Sequence, residues 1–321
     1  MSAFATWLAS PPADAAIEIT SEAIAVAALS TRGGDTVVQR YAVEPLPPGV
    51  VTASLTGRNV VDRRVVGTAL GAALDRFGIR PRRIALLIPD VAARVSLVRF
   101  ESVPERHEDL EQLVRWQLRK SAPFPIEEAV LTCVPGASTE DGGREFVVVL
   151  ARREIVREYE SLCEEAGMHA GLVDLSTIGI VNLCLASGAA PEGDWLVVHV
   201  RPEYTSLAIM RRMNMIFFRN LTEGDAGALA DVVHQTTMYY QDRLSGQGFA
   251  QVLFGGVGRS AGALEVARRS LEERLRVAVQ PIDLTRTAPL TDRISATPDL
   301  LAMLAPSVGA LLRMRTEAVS A

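Results

Sequence analysis

A chain of 321 residues is long enough for roughly two domains, each with a sizeable core. Its 33 basic and 38 acidic side chains give a net charge of −5, and no basic run exceeds two residues, which argues against a nucleic-acid backbone as the main partner. The longest uncharged apolar-leaning run, Leu175 to Pro191, spans 17 residues broken by Ser176, Thr177, Asn182 and Ser187, short of the roughly 20 that a spanning helix needs.

Residues 1–16 hold no cationic start and no long apolar stretch, so the expectation is a cytoplasmic protein without a signal peptide. Lys120 is the single lysine and does not follow a glycine-rich loop, which excludes a Walker A site. Cys133, Cys163 and Cys184 are too far apart for a zinc site and odd in number, so they read as core fillers. His107, His169, His199 and His234 are equally scattered, and no metal site is expected.

In chain order, Phe4, Trp7 and Leu8 before Pro11-Pro12 make an N-terminal arm of residues 1–13. Apolar runs at Ala15 to Ile19, Ala23 to Leu29 and Thr36 to Val43 predict a three-strand meander. Val61, Val65, Val66, Ala69, Leu70, Ala73 and Leu74 recur at helical spacing up to Gly78, a C-terminal cap, and Ile84 to Ile88 follows as a buried strand. Next come a strand at Val95 to Phe100, a helix at Glu108 to Lys120 stopped by Pro123 and Pro125, a strand at Glu145 to Ala151 and a helix with Ile155, Val156, Tyr159, Leu162 and Cys163 on one face. Ala170 to Leu175 is a strand and Ile178 to Ala186 a helix.

After a linker at Ser187 to Asp194 the pattern restarts with strands at Trp195 to Val200, Ser206 to Met210 and Met215 to Asn220, then a helix from Ala226 to Leu244. A short strand at Val252 to Phe254, a turn at Gly255-Gly256-Val257-Gly258, a helix at Ser260 to Leu275, a strand at Val277 to Val279 and a helix at Asp299 to Met314 complete the chain. Met213, Met215, Phe217 and Phe218 read as sheet core. The strand-turn-strand of residues 15–29 thus recurs at 195–210, so the chain reads as two related halves.

Two motifs compete for the glycine turn. Gly258-Arg259-Ser260-Ala261-Gly262 fits a nucleophile elbow, but no histidine follows His234, and Ser260 reads better as a helix N-cap. Gly256, Gly258 and Ala261 with Asp283 fit a dinucleotide fingerprint, but only 38 residues follow Asp283, too few for the rest of that fold.

The duplicated halves, with Ile84 to Gly167 placed inside the first, are similar to the actin-like (ribonuclease H-like) α/β fold of FtsA type. Tyr41 to Gly49, Leu118 to Ala129 with its Pro-Phe-Pro-Ile-Glu-Glu centre, and Val148 to Glu154 followed by Glu165-Ala166-Gly167 resemble the type IV pilus assembly protein PilM family. The resemblance implies a first half at 14–83 and 172–190, an inserted subdomain at 84–171, and a second half at 194–321 in which 221–250 is a reduced small subdomain. It also implies ATP between the halves, a groove holding the cytoplasmic N-terminal peptide of a PilN-like inner-membrane protein, and an indirect link to the pilus motor ATPases, with the protein peripheral on the inner membrane through that partner. Self-association stays open.

The phosphate turns depart from the family. Glu18, Thr20 and Ala25 stand where an aspartate, a glycine and a lysine are expected, and His199, Arg201 and Pro202 replace the second turn. Only Gly255, Gly256 and Gly258 match the adenosine-side motif. The expectation is therefore a scaffold without cofactor or ATP turnover, with Trp116, Arg119, Phe124 and Pro125 as peptide contacts. The alternatives are an ATP-binding actin-like ATPase, or a scaffold of a related secretion system or MSHA-type pilus.

Overall fold

The computed structural model describes residues 13–138, 142–188, 191–222, 226–258, 262–291 and 296–320. The expected N-terminal arm otherwise lies outside them, and Ala13 packs on the core. Strands β1 (Ala15–Ile19), β2 (Ala23–Arg32) and β3 (Asp35–Pro45) form the antiparallel meander. Helix α1 (Arg63–Phe77) opens on Asp62, whose carboxylate accepts from Val65 N at 3.0 Å, and closes on Gly78 in the left-handed region at φ 80°.

Strand β4 (Arg83–Ile88) enters parallel to β1. Then β5 (Ala93–Phe100), α2 (His107–Leu118), β6 (Ala129–Ser138) and β7 (Arg144–Arg152) build a separate three-stranded sheet, ordered β5-β7-β6. Helix α3 (Arg153–Glu165) leads to β8 (His169–Leu175), which completes the first sheet, β3-β2-β1-β4-β8, and α4 (Ser176–Ala186) leaves it. The second half repeats the order: β9 (Asp194–Val200), β10 (Tyr204–Arg211), β11 (Asn214–Thr222), α5 (Ala226–Arg243), β12 (Gln251–Gly256), α6 (Ala263–Leu275) and β13 (Val279–Pro281) give β11-β10-β9-β12-β13. Helix α7 (Pro298–Ser320) closes the chain.

Alternation along the strands sorts the layers. Ile17, Ile19, Ile24 and Val26 face α1 and α3, while Ala16, Ala25, Ala27 and Ala85 face the other way, onto α4 and α7. Trp195, Val197, Ala208 and Met210 of the second sheet close on the same central layer, and its opposite face packs on α5 and α6. The insertion has its own core of Val98, Leu110, Val114, Leu118, Phe146 and Val148.

Several boundaries differ from expectation. Strand β4 belongs to the first sheet, and α3 buries Ile155, Tyr159 and Leu162 in the first core, so the inserted sheet spans 93–152 rather than 84–171. Strand β6 went unanticipated because Thr132, Pro135 and Gly136 interrupt its apolar pattern, which an edge strand tolerates. Met215 and Phe218 are core, but Met213 is exposed at the β10–β11 turn.

The largest difference concerns the end of the second half. Leu304, Val308 and Leu311 of α7 are buried with the alanine face of the first sheet, and Val38 on the β3 edge donates to Pro289 O at 3.0 Å. Pro289, Thr291 and helix α7 thus pack back on the first half, because small side chains on one sheet face admit a helix at short range. Between β11 and β12 the described residues hold the single helix α5.

Candidate functional site

The cleft lies where the ends of β1 and β9 face one another. The alternation that places Ala16 and Trp195 on the central layer also places Glu18, His199, Arg201 and Ser206 there, and all four are buried. Arg201 Nη2 donates to Glu18 Oε1 in an ion pair sealed from solvent, and the Ser176 hydroxyl donates to the same carboxylate oxygen at 2.6 Å. Burial alone would pull Arg201 down, but the Glu18 carboxylate more than reverses it and the guanidinium stays charged. The Glu18 carboxyl itself is raised by burial, against the pull of Arg201 and Ser176.

Beside this pair the Thr177 hydroxyl donates to Asp90 Oδ2 and lies 2.7 Å from His199 Nδ1. Having spent its proton on Asp90, it accepts from His199, which fixes the imidazole as the Nδ1–H tautomer. Burial, then the charge of Arg201, hold His199 well below its usual 6.5.

Through His199, acid destabilises the fold. The unfolded chain takes up a proton near pH 6.5 and the folded one only well below it, so His199 removes up to about 1.4 kcal/mol per pH unit as pH falls through that window. Asp90 and Glu18, raised by burial, titrate with the opposite sign, since the folded state protonates them first. His199→Asn keeps a donor at the Nδ1 position and removes the imidazole. Denaturation at pH 7.5 and 5.5 is expected to show the wild type losing about 1 kcal/mol more than the variant; equal losses would mean that His199 takes up its proton in the folded protein as readily as in the unfolded chain.

The residues present do not fit a nucleotide. In the first turn Thr20 Oγ1 accepts from Glu22 N at 3.3 Å and Ala23 N at 3.2 Å, so amides that a phosphate would need are spent inside the turn. In the second, Arg201 N donates to Tyr204 O at 2.8 Å and Pro202 has no N–H. The space left beside the ion pair, lined by Glu18, Thr20, Ala25, Arg201, Val257 and Met303 among others, is about 10 Å³, room for about one water.

Gly255 and Gly256 are not a turn but the last two residues of β12, paired with His199 and Val200. Gly256 has φ 131°, and a Cβ there would lie 2.8 Å from the Val200 carbonyl carbon; one at Gly255 would meet Ile282 at 3.0 Å and one at Gly258 Leu264 at 3.2 Å. Close packing accounts for all three glycines. Arg259, Ser260 and Ala261, which carry the elbow and fingerprint motifs, lie outside the described residues.

The second candidate surface is the outer face of the insertion. Helix α2 buries Leu110, Val114 and Leu118 and turns Trp116 outward at 75% exposure, with Arg119 exposed just past its end. The chain then folds back, Ser121 N and Ala122 N both donating to Leu118 O. Pro125 is exposed, whereas Phe124 is half-buried against the insertion's own core, so it supports the turn more than it displays an anchor.

Arg115, which sequence reasoning passed over, joins helix to turn. It pairs with Glu111 at 2.7 Å and donates to Ile126 O at 2.9 Å and Ala129 O at 3.4 Å. Asp90, Ser176, Thr177 and Ser206 were missed too. The signal for Ser206 was its alternation with Ala208 and Met210, which marks a polar residue facing inward.

Two halves of identical strand order facing one another across a cleft define an actin-like protein. A family model for the type IV pilus assembly protein PilM matches residues 16–243, and the chain belongs to that family. It is similar to a chain of a solved PilM-PilN type IV pilus biogenesis complex, with 18% identity over 95% of this chain and 99% of that one at a TM-score of 0.79. It is also similar to the cytoplasmic domain of EpsL, an inner membrane component of the type II secretion system of Vibrio cholerae, with 10% identity over 96% of this chain and 94% of that one at a TM-score of 0.51. Among the described residues no helix is long and apolar enough to cross a membrane, and no group of metal-ligating side chains occurs.

Proposed function

We propose that this PilM-family chain is an adaptor of type IV pilus assembly that binds the cytoplasmic peptide of a PilN-like membrane protein and works without ATP turnover. The observation that carries the reading is the Glu18–Arg201 pair, which stands with Thr20 and Pro202 where phosphates would be cradled. The likeness to the PilM-PilN complex supports the choice of partner. Trp116, Arg119 and Pro125 are the exposed contacts of the inserted subdomain, with Phe124 behind them; aromatic and arginine side chains are the usual anchors of such surfaces. Attachment to the inner membrane and the link to the motor ATPases then run through that partner.

The experiment is titration of labelled N-terminal peptides from neighbouring membrane-protein genes against wild type, Trp116→Ala and Arg119→Ala, with circular dichroism as folding control. Micromolar or tighter binding is expected, weakened about thirtyfold by loss of a central anchor. If no peptide binds wild type, the adaptor reading fails. In calorimetry Mg-ATP is expected to give no saturable heat, and a one-to-one micromolar isotherm would overturn the reading without turnover.

A further inference from the structure

The seam between the halves carries polar cross-links that a contact of two apolar faces does not require. Asp90 follows β4 at the entrance to the insertion and is wholly buried. Its carboxylate accepts from Thr177 N at 2.9 Å and from the Thr177 hydroxyl, both on α4, and from Ser206 Oγ at 2.5 Å on β10 of the other half. Its N–H donates to Tyr204 Oη at 3.3 Å, and its carbonyl accepts from Asn220 Nδ2 at 3.1 Å on β11. Every polar group of this one residue is engaged, with partners from both halves.

The Glu18–Arg201 pair is a second cross-link. A third is backbone: Val38 on the edge of β3 donates to Pro289 O and accepts from Thr291 N at 3.1 Å. Lobes joined only by chain crossings are free to hinge until a ligand bridges them. Here the bridging groups are supplied by the chain.

We infer that closure of the cleft is built into this protein: the Asp90 junction and the Glu18–Arg201 pair hold both halves and the root of the insertion in one fixed arrangement that needs no ligand. This deepens the adaptor reading and rests on its lack of a nucleotide, but it does not depend on which peptide binds. An extended partner on the insertion would then meet a body whose second half is already positioned.

Hydrogen exchange followed by mass spectrometry tests it on the full chain, with and without Mg-ATP, for wild type, Thr177→Val, Ser206→Ala and the double variant. Both substitutions are mild and each removes one donor to Asp90. The wild-type segments 15–25 and 195–210 are expected to exchange slowly without ligand and to be unchanged by Mg-ATP. Each single variant should speed exchange on both sides of the seam, roughly tenfold, and the double variant by less than the product of the two, because both donors serve one oxygen.

Wild-type segments that exchange like loops until nucleotide is added would overturn the inference. So would variant effects confined to the half that carries the substitution. A protected seam in a protein that binds no peptide would uphold the inference while the adaptor reading fell; an unprotected seam in one that binds would do the reverse.

Discussion

Arg201→Met is expected to cost about 3–5 kcal/mol of stability, because it leaves the Glu18 carboxylate buried without its counter-charge. Ser176 would remain as a donor to Glu18, but one hydroxyl does not replace a guanidinium. The informative comparison is the double variant Glu18→Leu with Arg201→Met, which removes both charges and fills the space with apolar atoms. Replacing a buried pair in this way is often neutral or stabilising, so the double variant should recover most of the loss. Urea denaturation of the two single variants and the double one measures this directly. A cost for Arg201→Met no larger than about 1 kcal/mol would be the value of a surface pair, and would mean that water reaches the cleft.

Gly309→Ala is expected to be almost as damaging, by about 3 kcal/mol. Helices α4 and α7 cross at Gly179 and Gly309, and a Cβ at Gly309 would lie 2.8 Å from both the Gly179 carbonyl carbon and Leu183 N. On the facing side, a Cβ at Gly179 would lie 2.9 Å from Leu87 Cδ2 and from the Pro306 carbonyl carbon. Backbone is the obstacle in both directions, so the helices must separate, and with them the central layer that joins the halves. Gly67→Ala in α1 is the control, because nothing lies within 4 Å of a Cβ there; it should stabilise by about 0.5–1 kcal/mol through helix propensity. Equal effects at the two positions in thermal denaturation would show that the crossing is looser than these distances state.

What was legible in the sequence was local. The run Ala15–Ile19, the cap at Gly78 and the repeated strand-turn-strand opening coincide with the observed elements, because alternation and capping depend on neighbours a few residues apart. The altered phosphate turns were legible for the same reason. Thr20 and Pro202 act on the amides of their own turns, and the glycine or proline character of a turn needs no tertiary context.

The tertiary structure alone decided how these pieces meet. Glu18 and Arg201 are 183 residues apart and Asp90 and Ser206 are 116 apart, and no periodicity within either strand states that one side chain will neutralise the other. The same holds for α7, whose apolar face would suit either sheet. It settles on the first because Ala16, Ala25, Ala27 and Ala85 leave room for a helix whose own Gly309 lets α4 come close. Phe124 shows the converse: between two prolines it reads as displayed, yet the core formed by Leu110, Val114 and Leu118 draws its ring inward, since apolar area is buried wherever packing offers a place for it. Sequence thus determined which faces are apolar and which turns spend or lack their amides, while the pairing of faces, and with it the buried Glu18–Arg201 pair, followed from shape and charge brought together across the whole chain.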